Sequence, residues 1–169
     1  MAKKRIAIIS TGGTIEKTYD ELSGVLANGV SVLDVMLASL ELRGVDVLRV
    51  QLMNKDSLEM TVADHTLIAE TADNMARATD GVVIVHGTDR LATTGDRIVE
   101  LVGTPATPVV LTGAMRPYEL RSTDALQNLT EALCAVQLVA PGVYVAMHNQ
   151  VLRFPGVVKD RQLGTFVKA

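Results

Sequence analysis

Residues 6–15 read IAIISTGGTI, a short apolar run that stops in two glycines held between threonines. Ile6, Ala7, Ile8 and Ile9 are continuous and bounded, the pattern of a strand buried on both faces of a parallel sheet. Such a strand delivers the residues after it to its carboxyl end. Gly12 and Gly13 allow a tight turn and a close approach of main chain to a ligand. Thr11 and Thr14 set hydroxyls beside amides freed from the ladder. On its own this is a common way for an α/β domain to leave its first strand, so the rest of the chain has to say whether a site is built here.

The 169 residues match one domain, and 48% hydrophobic content is enough to fill its core. A net charge of −3 with both signs interspersed gives no footprint for nucleic acid or anionic lipid, so a small molecule or a protein is the expected partner. Lys3, Lys4 and Arg5 precede too short an apolar run for a signal peptide, and no stretch reaches membrane-spanning length. The chain reads as cytoplasmic. Its single cysteine, Cys134, excludes an internal disulfide and is expected to be packed within a helix.

Further along, residues 16–29 mix charge, glycine and Tyr19 without a period, as in a mobile loop that serves as a lid or a plain connection. Ser31 with Asp34 resembles a capping box, opening a first helix with Val32, Val35, Met36 and Leu40 on one face. A second strand spans residues 45–52, and Asp56 and Ser57 stand just past it. Thr61 with Asp64 caps a second helix that buries Leu67, Ile68, Ala72 and Met75, with His65 expected at the surface. GVVIVH, residues 81–86, is a third strand that runs into Gly87, Thr88 and Asp89. A helix over residues 93–102 follows, then a fourth strand at 109–111 and the exit TGAMRP, residues 112–117. Ser122 or Thr123 caps a helix through Val136 on Leu126, Leu129 and Leu133. Residues 142–147 and 151–154 flank His148, Asn149 and Gln150 as a β-hairpin, and residues 157–169 are less regular.

This alternation predicts an α/β fold: a mainly parallel sheet with helices on both faces, a Rossmann-like or flavodoxin-like three-layer arrangement, and a C-terminal β-hairpin. Ligands of such sheets bind beyond the carboxyl ends of the strands. Thr14, Asp56, Ser57, Thr88, Asp89 and the segment through Ala114 all fall there, four exits in succession. The glycine patterns for dinucleotides and for nucleotide phosphates are missing, as is the serine elbow of hydrolases. His65, His86 and His148 lie far apart without metal-ligand spacing, and His86 reads as structural, so neither metal nor cofactor is expected. What remains is a hydroxyl-centred site. A threonine needs a base, and a buried lysine near a carboxylate can act as one where desolvation holds it partly neutral. Lys159 is the candidate, a solvated terminal lysine being the alternative.

TGGTI at 11–15, DSLEM at 56–60, HGTD at 86–89, TGAMRP at 112–117 and the late VVKD, taken in this order and spacing, resemble the bacterial-type L-asparaginase family over essentially the whole chain. The resemblance implies a cofactor-free amidohydrolase that converts asparagine, and glutamine more slowly, into the acid and ammonia. Thr14 matches the family's first catalytic threonine, and Thr88, Asp89 and Lys159 its second catalytic cluster. Ser57 and Asp89 match residues that hold the α-carboxylate and α-amino groups of the substrate, Tyr19 matches the lid tyrosine, and Gly13, Asp56 and Ala114 complete the substrate set. Both threonines have a route to a base, so the covalent role stays open between them. Two other readings share this resemblance: an ammonia-producing subunit of a tRNA-dependent amidotransferase, and a non-catalytic domain that senses asparagine or aspartate.

The sequence also departs from the family pattern. Members usually have about twice this length, and their second domain completes the amino-group pocket of a neighbouring subunit. The expectation is a single N-terminal-type domain over 1–169, with a looser amino-group pocket and a homo-oligomer that shields the open site. Arg90 and Leu91 follow HGTD where the family commonly has threonine and methionine, and STDA at 122–125 replaces serine-aspartate-glycine.

Overall fold

The computed structural model describes residues 2–169. In chain order its elements are β1 (Lys4–Gly12), β2 (Thr18–Asp20), β3 (Val25–Ala27), α1 (Leu33–Ala38), β4 (Val45–Lys55), α2 (Val62–Ala78), β5 (Gly81–Val85), α3 (Leu91–Val102), β6 (Val109–Thr112), α4 (Ala125–Leu138), β7 (Val143–Met147), β8 (Gln150–Arg153), β9 (Val157–Asp160) and β10 (Thr165–Lys168). Six strands make one sheet in the order β4-β1-β5-β6-β7-β8, parallel except where β8 turns back antiparallel on β7.

Strand periodicity divides the interior into two cores. Ala7, Ile9, Val82, Ile84, Val109 and Leu111 face one side, against Ile68, Ala72 and Ala76 of α2 and Leu91 and Ile98 of α3. Ile6, Ile8, Val83, Val85 and Val110 face the other, against Leu33 and Met36 of α1 and Leu129, Ala132 and Val136 of α4. Helices therefore cover both faces, as the alternation predicts. The helices α2, α3 and α4 carry the chain across the sheet in one direction, yet α4 lies opposite the other two. The β6-α4-β7 crossover consequently has the opposite hand to its predecessors, a rare arrangement for parallel strands. It leaves the α3 side of β7 free, and there Phe154, Val157 and Phe166 pack beside Val143, Val145 and Met147.

Several local expectations are corrected. Residues 16–29 contain a paired hairpin, β2 with β3, that turns at Gly24. No Ser31–Asp34 capping box forms, because Ser31 donates instead to the Glu16 carboxylate and Asp34 pairs with Arg49 at 2.6 Å. As a result α1 is a six-residue helix and Val35 is exposed. The Thr61–Asp64 capping box is present, but Leu67 faces solvent while His65 is buried. At the fourth helix start, Thr123 accepts the Ala125 N–H at 3.0 Å. Cys134 is exposed on α4, one residue off the stripe formed by Leu129, Leu133 and Val136. The β7–β8 turn is where the sequence puts it, with His148 and Asn149 both at positive φ as a two-residue hairpin requires. The tail is more regular than its sequence suggests, forming β9 and β10 with Lys159 opposite Phe166.

Candidate active site

The chain leaves β1 toward β4 on one side and later passes back to β5 on the other, so β1 and β5 flank the topological switch of the sheet. Their exits meet main chain to main chain. A Cβ at Gly13 would overlap Gly87, one at Gly12 would overlap Lys55, and one at Gly113 would overlap the His86 carbonyl. Gly87 in turn lies against Ser57. Both glycines of the first turn have positive φ, 100° and 83°, so glycine is required there for conformation as well as space. Four strand exits thus join through backbone, with the Ser57 side chain packed against Gly87.

The turn is held from below and from the side. Glu16, almost fully buried, accepts the Gly12 N–H at 3.1 Å and the Ser31 hydroxyl, and its burial pushes its carboxyl above the usual range. Asn28 donates to the Gly13 carbonyl at 2.8 Å. Thr14 follows on a 3-10 turn, half-buried, and its hydroxyl has no partner among the described residues.

Across the junction Thr88 is buried. Lys159 Nζ donates to Thr88 Oγ1 at 2.8 Å and to Asp89 Oδ1 at 2.8 Å, so these three side chains, 70 residues apart in sequence, form one contiguous cluster. The lysine arrives on β9, whose seating comes from Phe166 and Val157 in the core. It is not a solvated terminal residue. Thr88's own proton faces only the sulfur of Met115 at 3.8 Å, a weak acceptor, and is therefore available to a stronger one. Arg161 reaches the same Asp89 oxygen at 3.7 Å.

Ser57, buried, lies under Gly87 and accepts the Arg90 N–H at 3.3 Å. Asp56 is engaged by Lys17 at 2.8 Å and caps the turn at Leu58, which hold its carboxyl below the usual range. Ala114 is buried in the β6 exit, a loop shaped by Asp124, which accepts the N–H groups of Met115 and Arg116. Asp124 is itself fixed by Asn128 and by His148 Nε2 at 2.6 Å. The expected lid residue Tyr19 is 60% exposed on β2, tied through its N–H to Glu119, and its ring makes no hydrogen bond among the described residues. Lys17, Asn28, Met115, Asp124 and Arg161 are site neighbours that the sequence did not single out. Only Met115, within TGAMRP, and Asp124, within STDA, fell inside a quoted motif.

The family model for asparaginase, N-terminal, matches residues 5–164. The chain belongs to the asparaginase family. An L-asparaginase of Thermococcus kodakarensis is 32% identical over 163 residues, which span 95% of this chain and 49% of that protein. A subunit of the glutamyl-tRNA(Gln) amidotransferase of Haloquadratum walsbyi is 36% identical over 148 residues, 85% of this chain and 33% of that protein. Among solved structures, the thermostable L-asparaginase of T. kodakarensis superposes with a TM-score of 0.87 at 31% identity, covering 97% of this chain and 51% of the other. A probable cytoplasmic L-asparaginase of Campylobacter jejuni gives 0.81 at 33% identity, with 98% and 52% covered. This asparaginase-family chain therefore spans about half the length of these L-asparaginases, and a third of the amidotransferase protein. Among the described residues no helix is long and apolar enough to cross a membrane, and no three histidine, cysteine or acidic side chains converge as a metal site.

Proposed function

We propose that the chain is the catalytic N-terminal-type domain of an L-asparaginase, converting asparagine and water into aspartate and ammonia, with slower turnover of glutamine. The observation that carries the proposal is the Thr88–Lys159–Asp89 cluster beside a turn that presents a second, unpartnered hydroxyl, Thr14. In the first step Thr14 Oγ1 attacks the side-chain amide carbon of the substrate, and its proton passes by way of Thr88 to the departing nitrogen. Ammonia leaves and an ester to Thr14 remains. Water then attacks the ester, its proton passing through the Thr88–Lys159 pair back to Thr14 Oγ1, and aspartate is released. The Thr88 N–H stabilises the oxyanion in both steps, worth about 2.7–4 kcal/mol per donor; the Gly13 N–H is already held by the Lys55 carbonyl at 2.9 Å. Ser57 and Asp89 hold the α-carboxylate and α-amino groups, with Gly13, Asp56 and Ala114 forming the rest of the pocket. Tyr19 closes over it from β2.

Ammonia release from asparagine and from glutamine tests this directly. Thr14→Ala and Thr88→Ala should each lose more than about a thousandfold in turnover. Losses under about tenfold in both variants contradict the assignment. A homo-oligomer that shields the cleft is part of the same reading, and a monomer by light scattering with a micromolar KM counts against it. Likeness to the tRNA-dependent amidotransferase protein favours a second reading, in which the ammonia goes to a charged tRNA through a partner protein. Turnover that appears only when such a partner is added would select it. Aspartate binding without ammonia release would instead indicate a sensor domain.

A further inference from the structure

Beneath the β5 exit lies a buried polar chain that the reaction scheme does not use. His86 is fully buried, with Nδ1 2.7 Å from the Gly87 carbonyl oxygen and Nε2 2.7 Å from Thr94 Oγ1. Thr94, also fully buried on α3, lies 2.7 Å from Nδ1 of His65 on α2. The two imidazoles stack with centroids 6.3 Å apart. His65 Nε2 is buried with no partner among the described residues.

The chemistry of these atoms allows one polarity. A carbonyl only accepts, so the proton of neutral His86 sits on Nδ1 and Nε2 carries a lone pair. Thr94 must give its single hydrogen to that lone pair, and its oxygen then accepts from His65 Nδ1–H. His65 Nε2 is left as a bare lone pair, and it is the ring nitrogen found without a partner. The reverse polarity would orphan a buried N–H, the costlier defect. Burial lowers the proton affinity of both rings, which favours the neutral forms that this pattern needs.

The Gly87 carbonyl and the Thr88 N–H belong to one planar trans peptide and point in opposite directions. Holding the carbonyl toward the buried ring turns the Thr88 N–H away from it, and that N–H has no acceptor among the described residues. We propose that His86 and Thr94 are positioning residues which aim the Thr88 N–H at the oxyanion formed from the substrate amide, with His65 fixing the direction of the hydrogen-bond chain. This rests on the amidohydrolase reading.

Two measurements on the intact chain test it. Ring 1H–15N correlation spectra at neutral pH should report both His65 and His86 as Nδ1–H tautomers, assigned with the variants His65→Gln and His86→Gln. An Nε2–H tautomer at His86 overturns the proposal, whether or not the protein turns over asparagine. In asparagine hydrolysis, Thr94→Val should lower kcat and kcat/KM together by about 10- to 100-fold. That is part of the roughly 10²–10³ lost when an oxyanion donor is removed outright, and Thr94→Ser should restore most of it. A Thr94→Val enzyme within about twofold of the parent, or a loss confined to KM, overturns the positioning role. Absence of ammonia release from the parent chain would reject the amidohydrolase reading instead, leaving the tautomers to judge the hydrogen-bond chain.

Discussion

Lys159 is the residue on which the chemistry turns, because one amino group touches both the hydroxyl that moves protons and the carboxylate beside it. Removing it in Lys159→Met should lower kcat by about 10²- to 10⁴-fold, the range for a general acid–base partner, with a much smaller change in KM. Asp89→Asn added to that variant should cost far less than the product of the two single losses, since groups that act as a unit are not additive. Steady-state kinetics on the three proteins checks both statements. The sequence offered Lys159 only as a lysine near the end of the chain, and recognition came from the motif around it. No local pattern carries a contact across 70 residues. His65 illustrates the opposite error: its place in the first turn of α2 suggests solvent, whereas its partner Thr94 lies on another helix.

The strands and turns were legible where a segment's own pattern settles its structure. The runs at β1, β5 and β6 are apolar through their centres, and the Thr61–Asp64 box is formed by residues three apart. Reading failed where a distant partner competed, as when Ser31 bonds Glu16 in place of its own helix. The tail, too irregular to read, becomes a hairpin because Phe166 and Val157 have a core to enter. Phe166→Ala should therefore cost about 3–5 kcal/mol of stability in urea unfolding. At concentrations where the variant remains folded, it should also lose turnover, because Phe166 is directly opposite Lys159 in the hairpin register. Gly13→Ala should be worse for activity than for secondary structure, since the new methyl group forces the β1 and β5 exits apart. Circular dichroism beside an ammonia assay separates the two effects.

Taken together, the buried histidines give the molecule a characteristic response to acid. Burial pushes His86 down to about 4, so the unfolded chain takes up a proton near pH 6.5 that the folded protein refuses. This contribution to stability is complete above about pH 6.5 and disappears as the pH falls to about 4, a loss of about 3 kcal/mol. Asp64, held at about 2 by the Thr61 amide and Lys55, acts in a lower window, from its ordinary value downward. Burial raises Glu16 and Asp96, which oppose the loss. Urea midpoints at about pH 7 and about pH 4.5 should differ markedly in the parent and less in His86→Gln. The mainly parallel sheet and its helix layers followed from the alternation of elements, but the strand order and the hand of the β6-α4-β7 crossover did not, since sequence periodicity is the same for either hand. That reversal has a lasting consequence. Returning α4 to the customary side would evict the aromatic-anchored tail and carry its amine away from the cleft, so topology and reactivity are inherited together, and a descendant that regularised its winding would have to recruit a new proton acceptor.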